Sequence, residues 1–249
     1  MPVERGLGAR FREKVFGKPR NIKDPTLFHK IALSDTFVYL DTVQYLKKDW
    51  NNRNKIKTAN GVIWLTVPVL TKDKFGQTLQ QVKINTQIDW RKKHWQSIRM
   101  SYSKTPCFNR YAGFFEGLYQ KEWENLNDLN ENIFRFLLEA LGIRVNVIKA
   151  STSLSLQDTK SDLVLDMCLK LKADVYIFGA LGKDYAEVDK FKERGIKLIF
   201  QDYKHPVYKQ QFGNFEPYMS IIDLLFNHGD SSLDILMSGN VTRNDVLSE

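Results

Sequence analysis

Val175-Tyr-Ile-Phe178-Gly179-Ala-Leu-Gly182-Lys183-Asp184-Tyr185 joins an apolar tetrad of strand length to a turn with two glycines, and a helical pattern follows. A short run that is apolar at every position marks a strand buried on both faces, as in a parallel sheet covered by helices. The same alternation extends to either side. Residues 145–148 read as a strand, 163–171 as a helix, 185–193 as a helix and 196–200 as a strand, an order that specifies parallel βαβ units. The predicted fold is α/β, a mostly parallel open sheet with flanking helices.

Upstream, a helix over 27–33 leads through Ser34-Asp35 into the strand Thr36-Phe37-Val38-Tyr39-Leu40. Residues 62–69 form a second apolar run, with Pro68 near its end, where the missing donor does least harm. Residues 80–84 alternate, and the two runs are expected to pair as a small antiparallel accessory element. Helices are predicted from Asp89 to Tyr102, over 108–119, over 126–141 with Gly142 as its C-terminal cap, and over 217–226.

The 249 residues are 43% hydrophobic and 12% aromatic, an ordinary globular composition with enough chain for one large core. No window approaches the roughly 18 apolar residues of a membrane span, and the N-terminus lacks the apolar core of a secretory signal; a cytoplasmic location is expected. Cys107 and Cys168 lie far apart and His29, His94, His205 and His228 are dispersed, so no metal site and no cofactor is predicted. Of the net charge of +8, half falls in residues 1–26, where seven Lys/Arg meet three acids. The remaining modestly basic body suits an anionic small molecule as well as a phosphate backbone. Residues 1–26, rich in Gly, Pro and Arg, read as a poorly ordered segment, 27–229 as one domain and 230–249 as a polar tail.

Three stretches carry candidate chemistry. The first is Asp41-Thr-Val-Gln44-Tyr45-Leu-Lys47-Lys48-Asp49-Trp50-Asn51-Asn52-Arg53-Asn54, which follows the strand at 36–40, where open α/β sheets place ligands. It exceeds what a turn requires and reads as a recognition surface; the plainer alternative is that Tyr45 and Trp50 plug the sheet edge while the asparagines cap. The second is the turn Gly179–Tyr185, whose backbone N–H groups and Lys183 can hold an anion, or which is simply a tight strand-to-helix turn with Asp184 at the helix start. The third is Gln201-Asp202-Tyr203-Lys204-His205-Pro206-Val207-Tyr208. Here Asp202 and His205 are an acid and a histidine close enough in sequence to form a general base, although a lone His before Pro is more often structural. Trp90-Arg-Lys-Lys-His94-Trp95 mixes aromatic and basic residues as nucleic-acid surfaces do, but on a helix its rings more simply face the core.

In order along the chain stand Phe28-His29-Lys30-Ile31-Ala32, Asp41-x-Val43-Gln44-Tyr45, Trp50-x-Asn52-Arg53-Asn54, Trp90-Arg91-Lys92-Lys93-His94-Trp95, Gly182-Lys183-Asp184-Tyr185, His205-Pro206-Val207-Tyr208 and Ser220-Ile-Ile-Asp223. With these motifs the chain resembles the WbqC-like family over residues 28–229. The resemblance implies a transferase-like enzyme of bacterial O-antigen and other surface-polysaccharide synthesis, passing an acyl or aminoacyl group to a nucleotide-linked or lipid-linked amino sugar. On that reading Asp41, Gln44, Tyr45, Asn52, Arg53 and Asn54 form one side of the pocket, and Lys183, Asp184, Tyr185 and His205 the other. His205 is the base, Asp202 its orienting acid, and Arg53 and Lys183 handle negative charge. Family members open with a short strand and a Gln-Pro-x-x-x-Pro loop, both of which this chain is expected to lack, so an inactive, altered copy is a further alternative, as is a nucleic-acid or phosphate-binding module.

Overall fold

The computed structural model describes residues 14–17, 24–47 and 49–248. Two parallel ladders organise it: β1 (Lys14–Gly17), β2 (Thr36–Tyr39) and β5 (Asn146–Lys149) in one, and β6 (Val175–Phe178) and β7 (Lys197–Phe200) in the other. β2 lies between β1 and β5, in registers Lys14↔Thr36 and Thr36↔Asn146, and β6 pairs with β7 in register Val175↔Lys197. β6 packs beside β1, which sets the β6–β7 ladder next to the β1–β2–β5 ladder on the side away from β2. The chain builds outward on one side of β1 and then crosses to the other, which creates a topological switch point at the carboxyl ends of β1 and β6. Open α/β sheets bind ligands at such points.

The parallel units are as predicted, but the opening strand expected to be absent is present. Lys14–Gly17 supplies it, adjacent to both β2 and β6. A strand of four residues offers too little pattern to separate it from its polar flanks. The expected loop after it, and the rest of the predicted disordered segment before Asp24, lie outside the described residues.

α1 (Pro25–Ala32) begins where its sequence dictates: Asp24 caps it by accepting from the Thr26 N–H at 3.0 Å, and Pro25 occupies the first helical position, where no donor is missed. α2 (Trp90–Tyr102), α3 (Phe108–Gln120) and α4 (Leu126–Ala140) form the main apolar cluster. In α4, Leu126, Leu129, Ile133, Phe134 and Leu137 are buried at helical spacing, and the half-buried Phe136 stacks on Phe114 with ring centres 3.6 Å apart. Gly142 follows with φ +69, donating to Glu139 O as a C-terminal cap does. α5 (Ala150–Ser153), α6 (Lys160–Leu171) and α7 (Val188–Glu193) accompany the second half of the sheet.

The antiparallel element exists with a different partner. β3 (Arg53–Thr58) pairs with β4 (Gly61–Thr66) through the turn at Ala59-Asn60, whereas Ile84 makes only an isolated bridge to Val69. Arg53-Asn-Lys-Ile-Lys-Thr58 has one large apolar residue, and its asparagines imitate turn chemistry, so the strand is hidden in sequence. The expected tail is likewise folded: after α8 (Ile221–His228) come α9 (Ser232–Met237) and α10 (Arg243–Ser248). Val246 is buried against Leu33, Val175 and Ile177, and Leu236 joins the main cluster. No helix among the described residues is long and apolar enough to cross a membrane.

Candidate functional site

A cleft of about 610 Å³ opens at the switch point, within the size range of small-molecule sites. Its walls come from the start of α1 (Asp24, Leu27, Lys30), the end of β2 (Leu40), the turn after β6 (Phe178 to Gly182, with Tyr185), Gln201 beyond β7, and the face of α6 carrying Lys160, Leu163 and Met167. Asp49 and Trp50 close one side. Its lining mixes apolar side chains (Leu27, Leu40, Leu163, Val164, Met167) with polar and charged ones, of which Lys30 and Gln201 are buried.

The turn after β6 reaches the cleft because Gly182 lets it fold tightly. A Cβ there would lie 2.4 Å from Phe178 Cβ, so only glycine permits this approach. Ala180–Asp184 forms a 3-10 turn; Tyr185 lines the cleft, with its ring edge-on to Phe178 at 5.7 Å. Lys183 and Asp184 stand exposed on the outer side of this turn.

Beyond β7, Gln201 is buried and donates from Nε2 to Thr26 O at 3.0 Å and to His29 Nδ1 at 2.8 Å. His29 Nε2 then carries the proton and donates to Val241 O at 3.2 Å. Complete burial holds His29 neutral, pushing its pKa down to about 4. His205 is different. Its Nδ1 donates to Pro206 O at 2.9 Å, which leaves Nε2 with a lone pair, buried and without a hydrogen-bond partner. Tyr218, Phe215, Tyr203 and Tyr208 surround the ring at 5.0 to 6.1 Å between centres. Burial lowers its pKa, so the ring is a neutral base at pH 7.

The predicted Asp202–His205 pair is not formed. Asp202 is exposed and makes no hydrogen bond or ion pair among the described residues. Residues three apart in an extended segment project differently, and the acids within electrostatic reach of His205 are Asp24 and Asp223.

Most of the 41–54 stretch is structural. Asp41, wholly buried, accepts from Ser151 N at 3.0 Å and Ser151 Oγ at 2.7 Å, capping α5. Tyr45 is in the core, Asn52 donates to Val67 O at 2.8 Å, and Asn54 is buried beside a small interior void. Gln44 is exposed and bridged to Thr78. Arg53 lies over the Trp64 ring at 4.4 Å, outside the cleft, in a stack that Lys55 and Trp50 continue. Of the whole stretch Asp49 and Trp50 reach the cleft.

Sequence reasoning missed Asp24, Lys30, Lys160 and Gln201 as cleft residues. Lys30 carried a signal: at spacing i+3 from Leu27 it falls on the apolar stripe of α1, where a lysine is out of place. In the basic–aromatic run of α2 the rings face the core and the cations face outward: Trp90 is buried, Trp95 stacks with Phe108 and Tyr119, and Lys92 and Lys93 are exposed.

Compared with known proteins, residues 25–235 match the model of the WbqC-like protein family. The chain belongs to the WbqC-like family. An uncharacterized protein of Mycobacterium tuberculosis (strain ATCC 25618 / H37Rv) is 36% identical over 211 residues, covering 84% of this chain and 90% of the relative. No solved structure matches. The WbqC-like match begins at Pro25 and so takes in α1, both sides of the cleft and the His205 cage.

Proposed function

We propose that this WbqC-like protein is a transferase of surface-polysaccharide synthesis that passes an acyl or aminoacyl group to an amino sugar carried on a nucleotide or a lipid. The observation that carries the reading is the cleft at the carboxyl end of the parallel strands, lined by both apolar and charged side chains. An acyl-bearing chain fits the floor formed by Leu163, Val164 and Met167, while Trp50 and Tyr185 offer faces for a sugar ring or base. Lys160 in the wall supplies positive charge for phosphate, whereas Lys183 faces outward from the adjoining turn.

In this account the Asp24 carboxylate, which lines the cleft, takes the proton of the attacking amine as its nitrogen bonds to the acyl carbon, and the donor's leaving group departs with the acyl bond's electron pair. His205 does not line the cleft and its Nε2 is buried; a neutral ring within electrostatic reach of Asp24, it acts on the reaction through that carboxylate, whereas Asp202 has no part.

The test is incubation of the purified chain with a panel of nucleotide-linked amino sugars and acyl thioester or aminoacyl donors, read by product mass. A product heavier than the sugar by the acyl increment is expected, together with a raised melting temperature in the presence of the sugar substrate. Neither product nor shift with any pair, from protein that melts cooperatively, would overturn the reading.

A further inference from the structure

Beyond β4 the chain carries a side chain that the transfer chemistry does not use. Phe75 stands 100% exposed at the tip of Thr71-Lys-Asp-Lys-Phe75-Gly76. The loop is held at its base: Leu70 donates its N–H to Lys83 O at 2.9 Å and its carbonyl accepts from Gln77 Nε2 at 3.3 Å, while Asp73 (φ 56) and Gly76 (φ 73) turn the chain on either side of the ring. A second loop meets it there. Tyr45 N donates to Gln77 O at 2.9 Å and Gln44 bridges Thr78 in the antiparallel sense, so Leu46 emerges beside Gly76. Leu46 is 42% and Leu70 41% exposed, and Lys47, Lys72 and Lys74 are exposed with them, against Asp73 as an exposed acid. A lone exposed apolar residue is ordinary, but three of them grouped among three lysines form a patch with two chemistries. Leu46 O in turn accepts from Asp49 N at 3.4 Å, and Asp49 and Trp50 close one side of the cleft, so patch and cleft share one loop.

We propose that these two loops dock the protein on the surface of an anionic phospholipid bilayer, with Phe75, Leu46 and Leu70 entering the boundary between headgroups and acyl chains and Lys47, Lys72 and Lys74 lying against lipid phosphates. The chemistry of the patch selects this occupant. Binding in the plane of a membrane interface needs apolar area to bury and cations to meet anionic headgroups, and both stand here at one corner. Lysine suits such a boundary, since its stem lies along apolar groups while its ammonium reaches the polar layer. A protein partner is the poorer fit: interface cores are depleted in lysine, and a standard interface covers about 800 Å² on each side, more than a loop tip of three apolar side chains offers. Docking at this corner holds the cleft, whose Trp50 follows Leu46 by four residues, close to the bilayer surface, where a sugar carried on a lipid would be met. The inference goes beyond the transfer reading, because docking requires no transfer, and of its two carriers favours the lipid.

The experiment is flotation of the full chain with vesicles of phosphatidylcholine, with and without phosphatidylglycerol, at low and at high salt. Flotation with the anionic vesicles is expected, weaker without phosphatidylglycerol and weaker at high salt, where exposed charges are screened. Phe75→Ser should lower the partition coefficient by at least about tenfold, and Lys72→Gln and Lys74→Gln by about fivefold each. All three side chains are exposed, so an unchanged melting temperature is expected of every variant and separates lost docking from lost folding. Absence of flotation with either vesicle would overturn the proposal. Flotation that survives the three substitutions would overturn it too, and would pass the binding to the basic residues 1–26. A dimer that Phe75→Ser dissociates, with no flotation, would give the tip to a second copy and equally overturn it. Because the vesicles carry no transfer substrate, flotation without acyl transfer would sink the transferase reading alone, and transfer without flotation would sink this one alone.

Discussion

The Tyr102 hydroxyl donates to Oδ1 of Asp223 across 2.9 Å, joining the end of α2 to the start of α8 inside the core. Oδ2 of the same carboxylate accepts from Tyr208 at 3.0 Å and Gln210 at 2.8 Å, and Lys57 of β3 donates to Gln210 Oε1 at 3.2 Å and to Asn214 O. Asp223 is wholly buried and Lys57 nearly so. Burial raises the Asp223 pKa against the pull of its donors. Asp223→Ala leaves those donors buried and unsatisfied and is expected to cost about 3–5 kcal/mol, and Asp223→Asn distinctly less. Urea unfolding at pH 7 measures both.

His29 makes stability fall with acid. Its folded pKa of about 4 lies below the unfolded value of 6.5, so its contribution is fully present above pH 6.5 and lost as pH falls toward 4. Between pH 7.5 and 5 the loss from this ring is about 2 kcal/mol. Unfolding curves at the two pH values should differ by that much more in the native chain than in His29→Gln.

His205→Gln is expected to lower turnover by about 10²–10⁴-fold while leaving the unfolding midpoint nearly unchanged. Asp202→Ala should alter neither by more than about 0.5 kcal/mol, as for a surface residue without partners. Equal rates for native and His205→Gln protein would remove the histidine from the mechanism.

Gly182→Ala drives a methyl into Phe178 Cβ, an atom fixed to the backbone of β6. A cost of about 1–3 kcal/mol is expected, with weaker ligand-induced stabilisation because the displaced turn is a wall of the cleft. Calorimetric melting with and without ligand separates the two effects.

The parallel core was legible because its strands are apolar throughout: Val175-Tyr-Ile-Phe178 has no other reading once turn residues bound it. Trp50 was legible as part of a recognition surface after β2 and Tyr185 as part of the turn after β6, and both line the cleft. Asp41 was not. Its position after β2 looks functional, and nothing local reveals that Ser151, 110 residues later, will claim both oxygens. Asn52 failed for the same reason, its partner Val67 O being brought by the hairpin, and Asn54, whose Oδ1 accepts from Lys55 N, is buried within that hairpin. The Asp202–His205 pair failed because nearness in sequence says little about direction in an irregular segment, whereas Asp24, 181 residues before His205, arrives through the sheet.

The bond from His29 to Val241 O spans 212 residues, and the one from Gln201 to His29 spans 172. At about 5–20 residues per second of synthesis, the imidazole waits roughly 10–40 s for its last acceptor. A helix made early therefore keeps a wettable, protonatable ring until Val241 has been made, and its packing takes its final shape only then. Such a high separation between partners predicts slow, late closure rather than stepwise growth from the ribosome. Truncated nascent chains stalled before Val241 should be markedly more open to protease around α1 than released ones.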